Sequence, residues 1–429
     1  MKKVAAAAAI AAIPTGSRVV LPQGSIEPRA LFDALAASRG HPGDPATLYS
    51  GLQFGDYAFL GDVRAASAGE SGFDVGGLGP GYRYVTWQVG GSIRSLVRAG
   101  RIGILPLRFR DIPRTFGAGG VLQADVAMIQ CTPPRGGRVS LGIACSIFPS
   151  MVAAARCVVA EIHPDMPWTS GATEIPVEEI DLAVDATGPL GILPRPEADD
   201  VDRAIVTRVV DLVPERPWIQ LGVGAIPDSI LQALSLRPDV RFHSGMLSDP
   251  LLDFLERAPS DASVVVGELA GSLEMYRRAA ADPRVVFRTT DVTHHLPYLA
   301  TLERFVSINS AIEVDLTGQV NGATLGGVPV SGVGGSLDFV EGSRYSPGGI
   351  SIVALRATAR GRSRIVPRLP MGNIVTLPQF TVDAVVTEHG VARLTGLELR
   401  ERAEALIAIA APGHRDELRA QAEALRAPR

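Results

Sequence analysis

Trp218-Ile219-Gln220-Leu221-Gly222-Val223-Gly224-Ala225-Ile226-Pro227-Asp228, followed by Ser229-Ile230-Leu231-Gln232-Ala233-Leu234, is the stretch that decides the fold. Trp218–Leu221 has strand character and runs into a glycine turn, Gly222–Ile226. Pro227-Asp228 then opens a helix through Leu234, where proline is tolerated because a first-turn N–H has no intrahelical partner. A strand passed through a short turn into a helix is half of a βαβ unit, and such units build parallel sheets.

Moving outward, the same rhythm returns. Arg241–Ser244 reads as a strand, Asp249–Arg257 as a helix and Ser263–Val266 as a strand, so three successive strands are expected to end at Gly222, Gly245 and Gly267-Glu268. Toward the N-terminus, strands are expected at Val19–Leu21, Ile102–Pro106, Val126–Ile129 and Val158–Ile162, with a helix over Pro28–Ser38. Pro189, Pro194 and Pro196, with Asp199, Asp200 and Asp202, mark a linker. The expected organisation is two α/β domains, 1–195 and 196–429. In open α/β sheets ligands bind beyond the carboxyl ends of strands, so chemistry is sought at those three ends.

Composition narrows the chemistry. The chain of 429 residues is 46% hydrophobic and 20% charged, with a formal net charge of -4, which gives large cores and no overall attraction for nucleic acid or an anionic membrane. Lys2 and Lys3 are the only lysines, which removes internal Schiff-base chemistry and a Walker A loop. Cys131, Cys145 and Cys157 lie among apolar residues without paired spacing and read as core thiols of a reducing compartment. His294, His295 and His389 lack the spacing of a metal set, and no metal is expected. The apolar run Val4–Ile13 is too short to span a bilayer and is read as a first helix of a cytoplasmic protein rather than a cleaved leader.

Two glycine loops are candidate ligand contacts. Gly222–Ile226 leaves backbone exposed ahead of a helix, and Ser331-Gly332-Val333-Gly334-Gly335-Ser336 places three glycines within four residues. Either loop alone is equally explained by a tight turn.

Taken with their surroundings, these loops resemble the acetyl-CoA hydrolase/transferase family, which includes 4-hydroxybutyrate and acetate CoA-transferases. The resemblance rests on Glu161-Ile162-His163-Pro164-Asp165-Met166-Pro167 with Thr169 and Gly171, Leu221 to Asp228, His243-Ser244-Gly245-Met246-Leu247-Ser248-Asp249, Ile308 to Asn321, Gly332 to Phe339, and Val386-Thr387-Glu388-His389-Gly390-Val391-Ala392. It implies two similar open α/β domains of the CoA-transferase type with the active site at their interface, and coenzyme A bound as a substrate thioester. Implied partners are an acyl-CoA and a small carboxylate acceptor, and the expected assembly is a homodimer. The resemblance also implies that Gly222, Val223, Gly224, Ala225, Ile226, Ile312, Ser331, Gly334, Gly335 and Arg356 contact CoA, with His243 beside the reacting centre.

The family's chemistry depends on a glutamate that attacks the thioester and becomes a glutamyl-CoA thioester. By resemblance that residue follows the His-Ser pair, where this chain has Gly245. Glycine can neither attack nor carry CoA. Glu268, expected on a neighbouring strand about 4.8 Å away, is the candidate replacement carboxylate, against the alternative of a capping or ion-paired glutamate. The readings open at this point are a CoA-transferase or acyl-CoA hydrolase using Glu268, a thioesterase of altered mechanism, and a CoA-binding protein without turnover.

Overall fold

The computed structural model describes residues 1–38, 44–55, 82–169, 171–194 and 197–426. The chain forms two compact units: Met1–Pro194 with Val265–Val292 and Pro329–Gly334, and Arg195–Val264 with Thr293–Val328 and Gly335–Arg429. The expected boundary residues, Arg195 and Pro196, lie outside the described residues.

In the first unit an eight-stranded sheet runs Lys2–Lys3, Leu182–Asp185, Cys157–Ile162, Val126–Cys131, Arg18–Val20, Ala46–Ser50, Tyr82–Thr86, Gly103–Ile104, each neighbour pair parallel. Parallel strands carry helices on their faces and are buried on both sides, so they read as unbroken apolar runs; every residue of Val126–Cys131 is buried. The Val4–Ile13 run supplies the helix Ala6–Ala11, whose Ala9 and Ile10 pack with Leu31, Leu48 and Val184 in the core. The segment Val265–Val292 is stitched to this unit by backbone pairing: Cys145 N–H donates to the Gly267 carbonyl and Leu269 N–H to that of Ile143.

The sheet of the second unit contains Arg241–Leu247, Trp218–Leu221, Phe305–Ser310, Ile350–Ala354 and Ala384–Thr387, with Gly390–Arg393 closing it by an antiparallel turn. Trp218–Leu221 is registered in parallel against Phe305–Ile308. The deciding stretch folds as read, with the helix beginning two residues early at Ala225–Leu234. Two strand ends are corrected. Arg241–Leu247 continues through Gly245, and Val264–Leu269 continues through Glu268, so both residues lie within strands rather than after them. The β-branched run stops earlier than the extended backbone does, because backbone pairing sets a strand's length and side-chain preference only samples it.

Among the described residues no helix is long and apolar enough to cross a membrane. Cys131 and Cys145 are buried and Cys157 is half-buried, all three as free thiols. Burial pushes Cys131 and Cys145 up to about 12, which disqualifies both as thiolate nucleophiles.

Glu161, from the first motif of the resemblance, is fully buried inside a strand. Its Oε1 accepts from Gln130 Nε2 at 3.0 Å and its Oε2 from the Leu31 N–H at 3.2 Å. The helix Arg29–Ala37 has Pro28 at its N-cap and no capping hydrogen bond from that side chain, so a carboxylate from the sheet meets its first turn instead. His163 is equally structural: its Nε2 meets the Gly188 carbonyl at 3.1 Å and its Nδ1 accepts from the Asp165 N–H.

Burial pushes the Glu161 carboxyl up to about 7, against donors that favour the charge. A carboxyl with a raised folded pKa binds more protons folded than unfolded, so its contribution to stability is present below about pH 4.3 and is lost as pH rises through the folded value. Glu161→Gln should therefore flatten the fall in melting temperature between about pH 5 and about pH 8. An unchanged pH profile in the variant would show that Glu161 does not titrate there.

Candidate functional site

Three neighbouring strands of the first unit, Arg18–Val20, Ala46–Ser50 and Tyr82–Thr86, end side by side. Just beyond their carboxyl ends stand Gln23, Gly51 and Trp87. The turn that carries Gln23 is fixed from behind, because the Pro22 carbonyl accepts from both Ser50 Oγ at 2.9 Å and Gln53 Nε2 at 2.8 Å. Trp87 Nε1 donates to Gln23 Oε1 at 3.2 Å, and Gln23 Nε2 donates to Glu268 Oε1 at 2.9 Å. The indole thus orients the amide, and the amide presents its N–H to the carboxylate.

Gly51 makes this line possible. A Cβ there would stand 1.9 Å from Gln23 Oε1 and 2.4 Å from Trp87 Nε1. Glu268 is 2% exposed. Burial pushes its carboxyl up to about 7, while the Gln23 and Ser146 donors favour the ionised form. A carboxyl poised near neutrality suits proton transfer and, when ionised, nucleophilic attack. Among the described residues Glu268 meets the donor Gln23 and no cationic partner.

The Pro329–Gly334 segment lies beside this line. Gln88 Nε2 donates to Ser331 Oγ at 3.3 Å, the Phe109 N–H donates to the Gly334 carbonyl at 2.9 Å, and a Cβ at Gly332 would meet the Trp87 carbonyl at 2.5 Å. Ser331 and Gly334 therefore belong to the first unit's site, whereas Gly335 belongs to the second unit.

The second unit holds a cavity of about 290 Å³ lined by Val223, Gly224, Ala225 and Ile226, with Arg356 and Arg364 among its other walls. Gly224 has φ +128°, a backbone region that side chains disfavour, which explains this glycine conformationally. Gly222 precedes the lining residues, and Ile312 acts through its carbonyl, which accepts from Arg364 Nη1 at 2.7 Å. Arg356 is engaged: its Nε and Nη2 grip both oxygens of Asp202 at 3.0 and 2.7 Å, and Nη2 also lies 2.9 Å from Asp199.

His243 is fully buried, with Nε2 3.0 Å from the Thr293 carbonyl and its ring stacked 5.4 Å from Tyr298. Trp218 and Phe305 meet the same ring edge-on. This is a packed position. Gly245 lies under the ring of His294, which the sequence reading treated only as part of an unassembled histidine set. Gln23, Gly51, Trp87 and His294 are the residues that the sequence reading missed. The Pro22-Gln23-Gly24 turn after a strand was the available signal for the first of them. Among the described residues no group of three or more His, Cys, Asp or Glu side chains is placed to hold a metal ion.

Residues 2–208 match the sequence model of the acetyl-CoA hydrolase/transferase N-terminal domain, and residues 271–422 match that of the C-terminal domain. The chain is 34% identical over 428 residues to 4-hydroxybutyrate coenzyme A transferase of Clostridium kluyveri, covering 97% of this chain and 96% of that one. It is 31% identical over 364 residues to butyryl-CoA:acetate CoA-transferase of Anaerostipes caccae, covering 80% and 81%. The crystal structure of RipA from Yersinia pestis superposes with a TM-score of 0.88 at 28% identity, covering 99% of this chain and 97% of that one.

Gly51→Ala tests the hydrogen-bonded line without touching the carboxylate. The added methyl must displace Gln23 or Trp87, both packed, so the variant should lose about 1–3 kcal/mol of stability and show altered tryptophan emission. A melting temperature and an emission spectrum matching the parent's would show that this space is not constrained.

Proposed function

Since the chain belongs to the acetyl-CoA hydrolase/transferase family, we propose that it acts on acyl-CoA thioesters through the carboxylate of Glu268. The observation that carries this reading is a buried carboxylate, poised near neutrality, whose Oε1 is held by the Trp87–Gln23 line. Coenzyme A enters as substrate, and the Gly222–Ile226 loop is the proposed seat of its pantetheine arm.

For CoA transfer, the carboxylate attacks the acyl carbonyl and expels the CoA thiolate, leaving an acyl–glutamyl anhydride. The thiolate then attacks the glutamyl carbonyl, breaking the anhydride bond and releasing the acyl group as a carboxylate. An acceptor carboxylate repeats the two steps in reverse. For hydrolysis, the same carboxylate takes a proton from water as the water oxygen attacks the acyl carbonyl, and the thiolate leaves protonated. A pKa near 7 leaves Glu268 partly ionised at neutral pH, as both routes require.

Incubation with acetyl-CoA and butyryl-CoA, with and without acetate, separates the two: new thioester marks transfer and free thiol marks hydrolysis. Glu268→Gln should lower turnover by about 10²-fold or more while leaving calorimetric CoA affinity nearly unchanged, since glutamine keeps shape and loses the carboxylate. Full turnover by a well-folded Gln variant would remove Glu268 from the chemistry, and no CoA affinity in the parent would remove the thioester reading altogether.

The active form requires ionised Glu268, so turnover should rise with pH through about 7. Gln23→Leu deletes a donor that favours the ionised form, and the acid limb should move to higher pH. A limb that stays in place would show that Gln23 does not set this ionisation.

A further inference from the structure

His294 is 2% exposed, and its ring is held on two sides. Nδ1 lies 2.8 Å from Thr293 Oγ1, and the ring centroid is 4.4 Å from that of Phe339. Two glycines also stand against the ring. A Cβ at Gly245 would lie 2.9 Å from His294 Cε1 and 3.1 Å from Nε2. A Cβ at Gly335 would lie 2.4 Å from Nε2, 2.6 Å from Cδ2 and 3.0 Å from Phe339 Cε2.

Neither glycine is demanded by the backbone. Both are absent from the positive-φ glycines, and Gly335 has φ −93°, which any residue adopts. What excludes a side chain at 245 and at 335 is the imidazole itself. Contacts below 3 Å to carbon are overpacked, and the ring has little freedom to move between Thr293 and Phe339.

We propose that His294, Gly245 and Gly335 form one steric set, in which the imidazole takes the volume of a side chain at position 245 and thereby determines that no covalent intermediate is carried there. The inference rests on the proposed function for its chemical meaning, since it leaves Glu268 as the carboxylate that reacts. The ring stays an uncharged imidazole: burial pushes His294 down to about 3, with repulsion from His243 adding to it. Gly245→Glu alone consequently does not restore a working carboxylate, because its first methylene already collides with the ring.

A double-variant cycle tests the set in the full chain. Gly245→Ala should lower the melting temperature by roughly 5 °C, and His294→Ala should lower it too, through the cavity left behind. In the His294→Ala background, adding Gly245→Ala should cost nothing further, because the methyl enters the vacated space. Additive losses, or a Gly245→Ala protein that melts with the parent, would overturn the proposal whatever Glu268 does.

The chemical arm uses butyryl-CoA and peptide mass mapping of the unreduced protein. Gly245→Glu combined with His294→Ala should carry a CoA-sized adduct at residue 245, formed by attack on the acyl carbonyl with loss of thiolate, then attack of that thiolate on the glutamyl carbonyl, which breaks the anhydride bond and releases butyrate. Gly245→Glu alone should carry none. An adduct on the single variant melting at the parent temperature would overturn the proposal. Failure of the proposed function reads separately, as full turnover by Glu268→Gln in a protein whose melting cycle is still non-additive.

Discussion

A carboxylate removed from water must find donors inside the protein, and that requirement organises the first unit. Glu161 and Glu268 are both almost wholly buried, and burial pushes both up to about 7. The two carboxyls are alike in this shift, and their donors differ. Glu161 has one oxygen on a glutamine of the adjacent strand and the other on the backbone of a helix's first turn, an arrangement that locks sheet to helix. Glu268 is met by Gln23, from a turn beyond a strand's carboxyl end, and that glutamine is itself aimed by an indole. An oriented amide at the mouth of a parallel sheet is where an open α/β fold places its ligand contacts.

The glycines divide along a similar line. Gly224 serves the backbone, since its φ of +128° is a conformation in which a side chain is strained. Gly51, Gly245 and Gly335 serve their neighbours, since each leaves room for a ring or an amide that a Cβ would strike. This second use of glycine is a property of pairs of residues far apart in the chain. It converts a missing side chain at one place into a fixed side chain at another: Gln23 and Trp87 over Gly51, His294 over Gly245.

That difference explains what was legible in the sequence. The strand Trp218–Leu221, its glycine turn and the following helix are local, and each signal lies within a few residues of the next, so the α/β class and the parallel sheets could be read directly. Glu268 could be singled out because it is a carboxylate expected on the strand next to Gly245, where the resemblance leaves a glutamate missing. Its partner could not, because Gln23 lies 245 positions away and an exposed-looking glutamine carries no pattern. His294 was hidden for the same reason: a histidine is informative only beside its neighbours, and Gly245 and Gly335 are brought to it by the sheet and the helix Ser336–Tyr345. The strand limits at Gly245 and Glu268 failed differently, since glycine and glutamate weaken a strand's sequence signature without ending its backbone.

The charges around the second unit's cavity bear on which part of an acyl-CoA belongs there. Arg356 looks in sequence like a phosphate ligand, yet both oxygens of Asp202 and one of Asp199 already hold its guanidinium. Those aspartates cap the helix Asp200–Val210, Asp199 accepting from the Asp202 N–H, so withdrawing them would also loosen a helix start. An incoming phosphate would have to compete with two carboxylates for one guanidinium, in a place where the acids repel it. Arg364 has given one N–H to the Ile312 carbonyl, and the wall otherwise combines half-buried backbone from Val223 to Ile226 and apolar side chains with the hydroxyls of Ser310 and Thr358. Such a wall complements an uncharged chain with amide groups better than a dianion. The cavity therefore suits a neutral amide-bearing chain better than a phosphate, in keeping with the proposed seat of the pantetheine arm.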